Sequence, residues 1–243
     1  MSPRVVALTF LIGCTPTGDK FDTDMDTAAE IVVGCPDGGS TWTGDPLYHF
    51  EEHNWTCVSP RIAPDFDVDL DSFDSQGYST TGVEQEITDV FALWNGVGAD
   101  ISVAIGSTNL TGLEADGQDG ANVIFMDPGN EVGDTGSGDV LAEALSWPSS
   151  GGSAENCDIT IFDEGDDGST QHFVFNGLAI INEFDATWLI LHESGHCLGL
   201  GHNDITSGLF KQSVMFSGLG AGENFVAMFA LDEEGLLFLY GVP

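Results

Sequence analysis

The stretch His192-Glu193-Ser194-Gly195-His196-Cys197-Leu198-Gly199-Leu200-Gly201-His202 decides how the rest of the chain is read. On a helix, His192 and His196 stand ~6 Å apart along the axis and ~40° apart around it, so both imidazoles leave one face. Gly199 has the freedom to take the positive φ that ends a helix and turns the chain back, which would bring His202 to the same point. Three neutral nitrogens fill three corners of a zinc tetrahedron and leave the fourth for water, the pattern of a catalytic zinc rather than a closed structural one. Glu193 is next to a ligand without being one, which suits a general base that takes a proton from that water. The flanks agree with a buried helix, with Asp185 as its cap and Trp188, Leu189, Leu191 and Leu198 as its apolar side.

Upstream, Phe66, Val68 and Leu70 alternate with Asp65, Asp67, Asp69 and Asp71, an extended segment with one acidic face. Val83, Ile87, Val90, Phe91 and Trp94 recur at helical spacing behind Thr81 as N-cap. Strands are expected over residues 101–105, 122–126, 140–145 and 158–162, separated by Gly and Asp loops. A last helix is expected over residues 232–240, stopped by Gly241. The order predicts an α/β (α+β) chain, a mixed twisted sheet with three helices and a zinc cleft at the second.

With these residues in place, the sequence resembles the metzincin clan of zinc peptidases, and within it the matrixins (matrix-metalloproteinase-like). His192, Glu193, His196, Gly199 and His202 match the clan motif. Ser213-Val214-Met215-Phe216 stands where the clan has its Met-turn, and residues 231–241 (LDEEGLLFLYG) resemble the closing matrixin helix. Trp42 with Tyr48, Phe91 to Asn95, and residues 138–144 (GDVLAEA) at the substrate-side edge strand are weaker echoes. The resemblance spans about residues 41–241 and implies a metzincin catalytic domain over 41–243, with Met215 beneath a single catalytic zinc. It also implies an edge strand that pairs with an extended peptide or protein substrate. Two features depart from the pattern. Asn203 replaces the usual Ser or Thr after the third His, and Glu143 stands where a second, structural zinc would need a His, so that second zinc is not expected.

Asp163, Glu164, Asp166 and Asp167 read either as an oxygen-rich loop for a structural calcium or as a solvated acidic turn. His49, Glu52 and His53 form an inverted zinc motif without a helical setting, and Gly34-Cys35-Pro36-Asp37 has a scrambled likeness to the matrixin cysteine switch; neither is carried as a site.

The N-terminus reads as an address. A basic start, an eight-residue apolar run over 5–12 and the ending Leu11-Ile12-Gly13-Cys14 resemble the lipobox of bacterial lipoproteins, with Cys14 as the acylated residue. Residues 1–13 would be the signal peptide, and residues 14–40 an acidic tether. The expected location is an exported one, an outer-membrane or cell-surface lipoprotein or else a secreted protein, with membrane contact only through the lipid. In that oxidising setting Cys35, Cys57, Cys157 and Cys197 predict two disulfides. Three pairings are open, and the shortest loops favour Cys35 with Cys57 and Cys157 with Cys197.

Four Lys and Arg against 40 Asp and Glu give a net charge of −36. Such a surface repels phosphate backbones, which excludes nucleic-acid partners. Together these features predict a monomeric zinc metalloendopeptidase. The competing expectation is a non-catalytic, metal-stabilised binding lipoprotein on the same scaffold, against which the intact Glu193 argues, since zinc binding alone has no need of it.

Overall fold

The computed structural model describes Phe50 and residues 64–112, 121–127, 140–148, 154–164, 170–207, 210–225 and 227–243. Cys14, Cys35, Cys57, Asp166, Asp167 and the signal and tether expectations lie outside these residues, as do the motifs around His49 and Cys35. Among the described residues the chain is mixed α/β, with one five-stranded sheet and four helices. None of the helices is long and apolar enough to cross a membrane.

Strand β1 (Asp65–Val68) begins the sheet, and its alternation holds, with Phe66 and Val68 buried. The extended pattern does not continue through Leu70, however. Asp69 caps a short helix α1 (Leu70–Ser75), its carboxylate accepting from the Ser72 N–H, while the Ser72 hydroxyl donates to the Asp69 carbonyl. The apolar alternation masked this capping pair, which is why three helices were expected and four are found. Helix α2 (Thr80–Gly96) buries Val83, Ile87, Val90, Phe91 and Trp94 as their spacing requires; its N-cap is Ser79, two residues before Thr81.

Strand β2 (Ala104–Ser107) starts later than expected because the Asn95 side chain already holds both the N–H and the carbonyl of Val103, standing in for a strand partner. Strands β3 (Asn122–Asp127), β4 (Ala142–Pro148) and β5 (Ala154–Phe162) complete the sheet in the order β2-β1-β3-β5-β4. All neighbours are parallel except β4, which runs antiparallel to β5 at the sheet edge, with Ala144 opposite Ile159. Within β5, Ile159 and Ile161 face the helices and join the core around Phe66, Leu189 and Met215. Thr160 faces the other way, opposite Glu143 on β4, and both are buried.

The short pair β6 (Phe173–Val174) and β7 (Phe184–Asp185) leads directly into helix α3 (Ala186–Cys197). A two-residue hairpin, β8 (Thr206–Ser207) with β9 (Phe210–Lys211), follows, and helix α4 (Ala230–Tyr240) ends at Gly241 with φ of 70°. A disulfide ties Cys157 on β5 to Cys197 at the end of α3, one of the two pairs expected.

Candidate metal centre

Helix α3 is built to hold its inward face still. The Asp185 carboxylate caps it by accepting from the N–H groups of Thr187 and Trp188, and its other oxygen accepts from the Phe225 N–H. Every residue of the helix except Thr187 is buried, His192 and Glu193 completely. Gly199 has a φ of 91°, and its N–H donates to the His196 carbonyl while Leu200 donates to that of Gly195. A side chain with a Cβ would be strained there, so glycine is what lets the chain reverse and carry His202 back.

His192, His196 and His202 converge, with ligand nitrogens all within 4.8 Å of one another. The Nε2 atoms of His192 and His196 are 3.1 Å apart, and the ring centroids are separated by 4.7 to 5.2 Å. Two nitrogens each ~2.0–2.1 Å from one tetrahedral zinc stand ~3.4 Å apart, so this spacing suits a shared metal. The donor set, three nitrogens and no thiolate, also suits zinc. Among the described residues no other group of three His, Cys, Asp or Glu converges in this way. Asp163 and Glu164, read as either calcium ligands or part of a solvated acidic turn, lie at the end of β5, where the Asp163 carbonyl accepts from the Gln171 N–H and Glu164 bridges to Thr170.

The imidazole of His192 is oriented by the backbone. Its Nδ1 is 2.8 Å from the Val214 carbonyl, and a carbonyl only accepts, so Nδ1 carries the proton and Nε2 is left to bind. Burial, followed by the neighbouring His196 and His202, holds the His192 pKa well below the usual histidine range, which keeps it neutral as a ligand must be.

Val214 is in turn fixed by hydrogen bonds that sequence reasoning did not foresee. Asp232, buried in the first turn of α4, accepts from the Val214 N–H at 2.8 Å and from the Ser213 hydroxyl at 2.5 Å. The Trp188 indole donates to the same Val214 carbonyl. A signal for Asp232 was present: it falls on the helical stripe of Leu236, Leu239 and Tyr240, where a lone carboxylate needs a partner. Met215 is completely buried and its sulfur lies against Gly195, where an added Cβ would collide with it. The turn thus sits under the histidine helix, and the Asn203 N–H donates to the Met215 carbonyl, joining it to the residue after His202. The Trp94 indole donates to the Ser194 hydroxyl, and the Tyr240 hydroxyl to the Leu198 carbonyl.

Lys211, the one cation among the described residues, brackets the segment that follows the turn. It pairs with Glu223, donates to the Gly218 carbonyl and lies over the rings of Trp188 and Phe216. No protein-family model and no curated protein matches the chain.

Proposed function

We propose that this chain is a zinc-dependent metalloendopeptidase of the metzincin type, with matrixin-like features, exported and held at a surface through Cys14. One observation carries the reading: three imidazoles converge at the end of a helix that also bears the buried, non-ligating Glu193 between two of them. His192, His196 and His202 would hold the ion. When bound, zinc supplies a Lewis acid for the peptide carbonyl and lowers the pKa of water toward neutrality.

The chain's own residues do the rest. Glu193 takes the proton from the attacking water on its carboxylate and returns it to the departing amine nitrogen. Val214 holds the His192 ring in one tautomer, and Asp232 holds the Val214 peptide. The edge strand β4, next to the histidine helix, offers backbone groups against which an extended peptide can align.

The test is a peptide library incubated with the zinc-loaded chain. Cleavage at internal bonds, lost on chelation and restored by zinc but not by magnesium, is the expected result. A chain that binds one zinc and cleaves no peptide would overturn the peptidase reading.

A further inference from the structure

Between β6 and β7 the chain makes a loop over residues 176–182 that exposes Leu178, Ile180 and Ile181 at 78%, 63% and 75%. Three such aliphatic side chains together at one loop tip are uncommon on a soluble surface, and here the loop is firmly held. Asn176 and Asn182 close its two ends in the left-handed region, with φ of 56° and 70°. Asn176 is bound by its N–H to the Glu86 carboxylate and by its side chain to the Gly82 carbonyl. The Asn224 side chain both accepts from the Ala179 N–H and donates to the Ala179 carbonyl, at 2.7 and 3.0 Å. Ile180 is closed within the loop, its N–H on the Glu183 carboxylate and its carbonyl taking the Glu183 N–H.

We propose that residues 176–182 form a lipid-docking tip that seats Leu178, Ile180 and Ile181 in the surface of an uncharged, zwitterionic bilayer. Two features select this occupant. Backbone groups entering a hydrocarbon phase must be satisfied from within the protein, and those of Ala179 and Ile180 are. With both N–H groups taken, neither Ala179 nor Ile180 has a backbone donor to offer an added peptide strand. Residues 171–182 themselves contain no Asp, Glu, Lys or Arg; of the carboxylates beside them, Glu183 accepts from the Ile180 N–H and Glu223 is paired with Lys211. A second copy of the chain is disfavoured because three side chains fall far short of the ~800 Å² a side of a stable dimer. A net charge of −36 directs the tip to zwitterionic rather than anionic lipid. The contact is additional to the N-terminal lipid through which alone the sequence led us to expect attachment, and it does not depend on the peptidase reading.

The test compares the full chain with its Leu178→Ser/Ile180→Ser/Ile181→Ser variant for partition onto phosphatidylcholine vesicles. Both share the same N-terminus, so the difference reads the loop alone. The expected result is a loss of partition of about 10-fold or more, at unchanged circular dichroism. A second arm uses Ile181→Trp and brominated phosphatidylcholine, which should quench the introduced fluorescence beyond that of the wild-type chain. Equal partition of the two proteins overturns the proposal. So does absence of added quenching, or a dimer in lipid-free solution that the serine variant abolishes.

Discussion

Asp232 makes the strongest case at the scale of single residues, because it reaches the candidate metal centre through two intermediaries. Its carboxylate fixes the Val214 peptide, and the Val214 carbonyl fixes the His192 tautomer. Interactions of this kind behind a ligand are worth ~10–100-fold in metal affinity. Asp232→Asn keeps the shape but cannot accept from both the Val214 N–H and the Ser213 hydroxyl. It should weaken zinc binding within that range in competition with a chromogenic chelator, and a variant with unchanged affinity would remove Asp232 from the centre. Glu143 presents a different residue-scale effect. Burial, and then the nearby Asp127, raise its pKa above the usual carboxylate range. A carboxyl with a raised folded-state pKa stabilises the fold while protonated, and that contribution is lost as pH rises through the raised value. Glu143→Gln should therefore melt above the wild type at pH 8, with the gap closing toward pH 4. A gap independent of pH would contradict this.

The helices and strands owe their placement to caps and side-chain substitutes as much as to apolar period. The buried face of α2, the Asp185 cap of α3, the reversal at Gly199 and the stop at Gly241 were legible, because each follows from a local rule. Helix α1 and the late start of β2 were not, since an Asp–Ser pair and the Asn95 amide override the pattern there. The three histidines were legible for the same local reason. Asp232 and Ser194 were not, because their partners lie far away in sequence. The Cys157–Cys197 bond spans 40 residues and joins the sheet to the end of the histidine helix. Cross-linking across such a span stabilises by about 3–4 kcal/mol, chiefly by restricting the unfolded chain. Cys157→Ala/Cys197→Ala should lose that much in denaturant unfolding. A loss below about 1 kcal/mol would mean that packing alone holds the helix end.

For the whole molecule, the net charge of −36 acquires more definite parts. Among the described residues, Glu193 is buried in the histidine helix, Asp185 and Asp232 accept from backbone N–H groups, Asp69 caps a helix, and Asp65, Asp71, Asp74, Glu84, Asp89, Asp204, Glu223, Glu233 and Glu234 are exposed. At ~0.01 M salt the field of such a surface extends ~30 Å, against ~8 Å at 0.15 M. Basic peptides should then be cleaved faster than acidic ones of equal length at low salt, with the rates converging as salt rises. Equal rates at low salt would show that the surface charge does not steer substrate.

The most direct measurement is mass spectrometry of an extended peptide digested by the zinc-loaded chain in water enriched in oxygen-18, with Glu193→Gln alongside. The account predicts internal cleavage with one heavy oxygen in each new C-terminal carboxyl. Glu193→Gln should keep one zinc per chain and lose at least ~100-fold in rate. Cleavage by Glu193→Gln at the wild-type rate, or no cleavage by a wild-type chain that holds zinc, would contradict it.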